Sequence, residues 1–198
     1  MLKCVGYEHW FYPVDSFVYD EKYFDKYRGY KDSCIGDCIF KYRKEMIEKF
    51  RGSGHMLDVG VGCGQIVDEM PDAYGYDVNP TAVEMLLSND TFFNPYEQPL
   101  DRFSLITFFD SLEHIENPEI LLSRIHSGAN VIVSIPVVYG YEDIKRSKHF
   151  RPDEHYHYFT LDGFKAYMAD QGFDWLIVDT GEIECGRQDI YTFVFSKR

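Results

Sequence analysis

The sequence predicts an α/β fold in which a doubly wound, mostly parallel sheet carries helices on both faces. Short apolar runs at 55–59, 73–77, 103–109 and 130–135 alternate with segments of helical periodicity, and such alternation builds βαβ units. A glycine-rich turn follows directly on the first run, where a strand passes into a helix. Beyond residue 160 the order changes to one helix and then two strands in succession, which marks an antiparallel hairpin at one edge.

Each element has its own local reason. Residues 8 to 33 mix aromatic and charged side chains densely, as in His9-Trp10-Phe11-Tyr12 and Tyr19 to Tyr27, and read as a lid. Ile35, Ile39, Phe40, Arg43, Ile47 and Phe50 then recur on the faces of a helix, which Gly52 and Gly54 end. His55 to Val59 is the first strand of the body, Gln65 to Met70 a helix, and Ala73 to Asp77 the second strand. Pro80 suits the first turn of the next helix, where a missing N–H costs nothing, and Val83, Met85, Leu86 and Leu87 continue it. Phe103 to Phe109 is a strand, Pro118 to His126 a helix, and Asn130 to Ile135 another strand. Asp162 to Gln171 reads as a helix, and Trp175 to Glu182 and Asp189 to Phe195 as the hairpin, joined through Gly186. The resulting division is a lid over residues 1–52 and one body over 53–198.

Composition narrows the function. The 198 residues include 33 acidic and 20 basic side chains, a formal charge of −13, which argues against a reader of nucleic-acid phosphates. Hydrophobic residues at 45% and aromatics at 17% supply enough apolar surface for a core and exclude a chain that stays disordered. No apolar run approaches the ~18 residues of a membrane span. Cys4, Cys34, Cys38, Cys63 and Cys185 are an odd set without framework spacing and read as reduced thiols, hence a cytoplasmic protein. Cys34 and Cys38 lie one helical turn apart but read as helix-face thiols, since no second Cys/His pair with finger spacing follows.

Open α/β sheets bind ligands beyond the carboxyl ends of their strands, where strand order reverses, so the first βα turn is the place to look. It reads Leu57-Asp58-Val59-Gly60-Val61-Gly62-Cys63-Gly64-Gln65. Its alternate glycines remove Cβ atoms that would hold a ligand away and permit positive φ. A dinucleotide fingerprint counted from Gly60 would need glycine at 65, where Gln65 stands, and Asp58 would repel a pyrophosphate. The same carboxylate suits a ligand bearing an ammonium or sulfonium. Asp77, ending the second strand, can accept from both hydroxyls of a ribose.

With the turn, Gly75-Tyr76-Asp77-Val78-Asn79-Pro80, the run Phe103 to Ile115 containing Glu113-His114, and Val131 to Pro136, the chain resembles the class I S-adenosylmethionine-dependent methyltransferases. It is most similar to the ubiquinone-biosynthesis-like and sugar methyltransferase branch, from about residue 54 onward. The resemblance implies a Rossmann-like sandwich with a seven-stranded sheet whose last strand is antiparallel. It implies S-adenosylmethionine as cofactor, bound by Asp58, Gly60, Gly62, Gly64, Asp77, Val78, Asn94, Phe109 and Asp110. The acceptor is then a small molecule or saccharide, methylated on oxygen or nitrogen, with no nucleic acid and no membrane as partner. Thr91 to Tyr96 is short for the family's third strand, so the adenine contact falls to Asn94 or Tyr96. A cofactor-binding regulatory protein and a nicotinamide-dependent oxidoreductase are the alternatives.

His155, His149 and His114 are the candidate catalytic bases, because an imidazole titrates near neutral pH. His149, His155 and His157 are dense in one short segment, yet they read first as groups that pack the loop and line a pocket, and no metal ligand set is assigned. Residues 139–160, with part of 8–30, are expected to wall the acceptor site.

Overall fold

A computed structural model describes residues 3–15, 19–31 and 33–198. Residues 1–2, 16–18 and 32, part of the expected lid, lie outside the described residues. Two short strands, β1 (Lys3–Gly6) and β2 (His9–Phe11), precede the helices α1 (Glu21–Lys31) and α2 (Cys34–Phe50). The Ser33 side chain caps α2 by accepting from the Gly36 N–H at 3.0 Å, which answers one of the unpaired donors of the first turn.

The body then runs β3 (His55–Val59), α3 (Gln65–Glu69), β4 (Ala73–Tyr76), α4 (Pro80–Ser88), β5 (Phe103–Phe109) and α5 (Pro118–Leu122). It continues through β6 (Asn130–Pro136), α6 (Tyr141–Ile144), β7 (His157–Phe159), α7 (Leu161–Asp170), β8 (Phe173–Asp179), α8 (Gly181–Glu184) and β9 (Ile190–Lys197). No described helix is long and apolar enough to cross a membrane.

Six strands form the central sheet in the order β4-β3-β5-β6-β9-β8, parallel from β4 to β6 and antiparallel across β6–β9 and β9–β8. Both faces are buried by the period-two alternation of the strands. Ile106, Phe108, Val131, Val133 and Phe193 point to one face, against Leu121 and Leu122 of α5 and Phe164 and Met168 of α7. Met56, Leu105, Ile132 and Val194 point to the other, against Met46 and Ile47 of α2, Val67 of α3 and Leu86 of α4. The doubly wound sandwich read from the sequence is therefore the observed architecture.

Two details depart from expectation. The sheet has six strands, not seven, because the third reduces to an isolated parallel bridge between Gly75 and Phe92. Pro95, without an N–H, closes off any extension of it. The closing pair lies at one edge as read, with β9 inside and β8 outermost, since β9 carries the fully buried Phe193, Val194 and Phe195 while Trp175 and Leu176 of β8 are exposed. Finally, β1, β2 and β7 form a separate antiparallel sheet, so the N-terminal aromatics dock onto the chain after α6.

The cysteine reading is corrected as well. Cys38 on α2 is joined by a disulfide to Cys185, which ends α8, across 147 positions of sequence. Nothing in the spacing signalled it, because the helix and the β8–β9 connection meet only in the folded chain. Cys34 and Cys63 are free thiols. The argument from cysteine usage to a reducing compartment falls with this bond.

Candidate active site

Strand order reverses between β4-β3 and β5-β6, and a cavity of about 510 Å³ opens there at the carboxyl ends of β3, β4 and β5. The volume is within the range of ordinary cofactor sites. The βα turn forms its floor and α1 and α2 its far wall, through Phe24, Tyr30, Ile39 and Phe40.

All three turn glycines have positive φ, at 85°, 55° and 78° for Gly60, Gly62 and Gly64. Their roles differ. A Cβ on Gly60 would come within 2.4 Å of Ser111 Cβ, and one on Gly64 within 2.3 Å of Met85 Cε, so both keep the turn pressed onto its neighbours. Only at Gly62 would a Cβ meet open space, which leaves bare backbone toward the cavity; Gly64 does not line it. The turn is anchored from below, where Ser111 Oγ donates to Val59 O at 2.5 Å.

Asp77 stands at the end of β4 with its carboxylate in the cavity. Gly62 N–H donates to its Oδ2 at 3.1 Å and Asn79 N–H to its Oδ1 at 2.8 Å, which aims one oxygen at the turn and one at α4. Burial raises its pKa against those backbone donors. Asn79 also caps α4, accepting from Thr81 N–H at 2.9 Å, and its amide donates to Asp20 O at 3.1 Å, which ties the approach to α1 to the same turn. Asp58 also lines the cavity but is buried, and it accepts from Thr107 Oγ1 at 2.7 Å. Burial lifts its pKa to about 7, opposed by that hydrogen bond and the charge of Arg43. Val78 and Phe109 line the cavity too, with the Arg43 guanidinium 4.5 Å above the Phe109 ring.

Asp110, expected on the cofactor, is at the cavity wall with its carboxylate taken up by arginines. It accepts from Arg43 Nη2 at 2.7 Å and from Arg187 Nη1 and Nη2 at 2.7 and 2.9 Å. Glu182, fully buried, accepts from Arg43 Nε at 2.8 Å and Arg187 Nη1 at 2.5 Å, so two cations and two anions close a neutral cluster. Burial alone would raise the Asp110 pKa, but the two guanidiniums hold it below the usual carboxylate range. Asn94 does not line the cavity. Its Oδ1 accepts from Tyr96 N–H at 3.0 Å, and the Tyr96 ring lines the wall instead.

Of the three candidate bases only His114 lines the cavity. It sits on a single 3₁₀ turn (Leu112–His114) after β5, with Nδ1 3.3 Å from the Tyr19 hydroxyl. Burial lowers its pKa to about 4. His155 stands behind it, ring centroids 4.5 Å apart. His149 lies farther off, bonded through Nε2 to Gln188 O at 2.8 Å. No residue of 139–160 lines the cavity; the segment backs the site while α1 and α2 face it. Tyr19 belongs to the 8–30 segment expected at the wall, whereas the sequence reading missed Arg43, Asn79 and Arg187 as site residues. Arg43 alone left a signal, as a cation within an otherwise apolar helix face.

A family model described as "Methyltransferase domain" matches residues 32–177. Comparison with curated proteins finds no match. Among solved structures the chain is similar to an S-adenosylmethionine-dependent methyltransferase, possibly a histamine N-methyltransferase, from Thermotoga maritima, at 14% identity, 90% of this chain and 97% of that one, with a TM-score of 0.65. A methyltransferase from Archaeoglobus fulgidus aligns at 14% identity over 89% and 100% of the chains, TM-score 0.64. Magnesium protoporphyrin IX methyltransferase from Synechocystis PCC 6803, solved with S-adenosylhomocysteine, aligns at 14% over 90% and 95%, TM-score 0.62. At such identities these likenesses speak for the fold. With the matched family model, and with a positive-φ glycine turn and a strand-end carboxylate in one cavity, they place the chain among the class I S-adenosylmethionine-dependent methyltransferases.

Proposed function

We propose that the protein transfers a methyl group from S-adenosylmethionine to an oxygen or nitrogen of a small acceptor, a saccharide or an aromatic compound. One observation carries the reading: Asp77, aimed by the Gly62 N–H, faces the same cavity as the bare backbone of Gly62, at the reversal of strand order. That pairing suits a nucleoside, with the ribose hydroxyls on Asp77 and the methionine portion along Gly60 and Gly62 toward Asp58 and the Asp110 edge. Val78, Phe109 and Tyr96 then lie along the remainder of the cofactor, with Asn94 behind Tyr96 holding its backbone.

When bound, the cofactor supplies an electrophilic methyl on a sulfonium. The chain supplies position. Tyr19, Phe24 and Tyr30 offer rings on which a planar acceptor or a sugar face can stack, and holding nucleophile and methyl in near-attack geometry is itself a large share of such catalysis. His114 is placed at the acceptor end and His155, packed edge-on against it, positions it. Residues 139–160 support this wall from behind, and His149 ties that segment to the β8–β9 connection. The negative net charge supports a small acceptor over nucleic acid.

The test is transfer of a radiolabelled methyl from S-adenosylmethionine to the small-molecule pool of a cell extract. Label recovered in a low-mass product, lost in the Asp77→Ala variant, is the expected result. Calorimetric titration showing no binding of S-adenosylhomocysteine would overturn the proposal.

A further inference from the structure

We propose that Glu113, His114 and His155 form a binding site for one divalent transition-metal cation of zinc type. The three come from two separate parts of the chain, the 3₁₀ turn after β5 and the segment before β7. A backbone hydrogen bond from Tyr156 N–H to Glu113 O, at 2.9 Å, holds these parts together. One ligand atom from each residue lies within 4.8 Å of the other two. A tetrahedral zinc ion with bonds of about 2.0–2.1 Å places its ligands roughly 3.3–3.5 Å apart, so small side-chain rotations close the set.

The second observation is independent of that spacing. Glu113 Oε2 and His155 Nδ1 are buried without a hydrogen-bond partner, in residues only 2% and 4% exposed. Orphaned polar atoms on two buried residues of one cluster are costly, and native proteins rarely leave them so. One is a carboxylate oxygen and the other an imidazole nitrogen, the donor types that borderline cations take. A single cation answers both. The Tyr19 hydroxyl beside His114 Nδ1 fixes the plane of that ring, an outer contact of the kind that orients metal-binding imidazoles.

Two nitrogens and one carboxylate leave a coordination position open, the arrangement of catalytic rather than structural zinc. Because His114 lines the cavity, that position faces the acceptor end. This role rests on the methyl-transfer reading. An acceptor hydroxyl bound there would lose its proton to water more readily. Its oxygen would then form the bond to the methyl carbon as the carbon–sulfur bond breaks.

The experiment uses the full chain freed of metal by a chelator, titrated with Zn²⁺ by calorimetry and with Co²⁺ by absorption spectroscopy. One equivalent should bind, with d–d bands of a low-coordinate nitrogen–oxygen site. Thiolate-to-cobalt charge transfer, which would place the ion on a cysteine instead, should be absent. Glu113→Gln, which keeps the size of the side chain, and His155→Ala should each weaken binding about 100-fold or more. His126→Ala, whose ring bonds Phe103 O at the amino end of β5, should leave it unchanged. Absence of stoichiometric binding, a thiolate band, or binding that survives both substitutions would overturn the site. Titration of the same preparation with S-adenosylhomocysteine separates the outcomes. Cofactor binding without zinc binding refutes the metal site alone, whereas zinc binding without cofactor binding refutes the methyl-transfer reading and leaves the site standing.

Discussion

Replacing Asp77 by alanine is the sharpest probe of the cofactor assignment. Each Asp77 oxygen already accepts one backbone N–H, from Gly62 at 3.1 Å and from Asn79 at 2.8 Å, and keeps a lone pair for one ribose hydroxyl. Two hydroxyl–carboxylate hydrogen bonds at about 1.5 kcal/mol each, the low end for bonds to a charged group, give about 3 kcal/mol. Water that reaches the emptied site recovers part of this, so the expected loss is ~1.5–3 kcal/mol, or about 10- to 150-fold in affinity. Asp77→Asn should not rescue it, because its amide nitrogen must face one of the two backbone N–H donors. The assay is calorimetric titration with S-adenosylhomocysteine, paired with thermal unfolding to show that the variant is folded. An affinity within twofold of the parent, in a folded Asp77→Ala protein, would refute the ribose assignment.

Three further outcomes follow from other parts of the molecule. Glu182→Ala leaves the buried Arg43 and Arg187 guanidiniums without one of their two anions and should cost about 3–5 kcal/mol in urea unfolding; a loss under 1 kcal/mol would show that the cluster is not desolvated. His9 Nε2 and His157 Nδ1 share a proton at 2.8 Å, and burial lowers their pKa values to about 3 and 4, so the unfolded chain binds more protons below its own histidine pKa near 6.5. Stability should therefore be full above pH 6.5 and fall by up to about 6 kcal/mol in total as pH drops toward 4, and a His9→Phe variant should flatten that slope in thermal unfolding at stepped pH. Converting both Cys38 and Cys185 to serine opens a loop of 147 positions and should lower stability by about 2–4 kcal/mol, read as the denaturant midpoint against the oxidised parent; an unchanged midpoint would mean the bond adds nothing to the folded state.

Much of the body was legible in the sequence because the signals are local. Phe103 to Phe109 and Asn130 onward are strands for the same reason in sequence and structure: alternating side chains are buried on both faces. Asn79-Pro80 opens α4 by capping and a fixed φ, and Gly60, Gly62 and Gly64 announce backbone that no other residue adopts at low cost. Asp77 followed from its place at a strand end. What spacing could not express is which distant groups meet. Asp58 accepts from Thr107 across the sheet, and Asp110 is shared between arginines 67 and 77 positions away, so part of each carboxylate is already engaged by the protein's own groups. Cys38 finds Cys185, His9 finds His157 and Glu113 finds His155 only after the crossovers have stacked the elements. Local preferences act over a few residues and are written in neighbouring side chains, whereas these pairings depend on the order in which strands enter the sheet, and only the folded topology decides that.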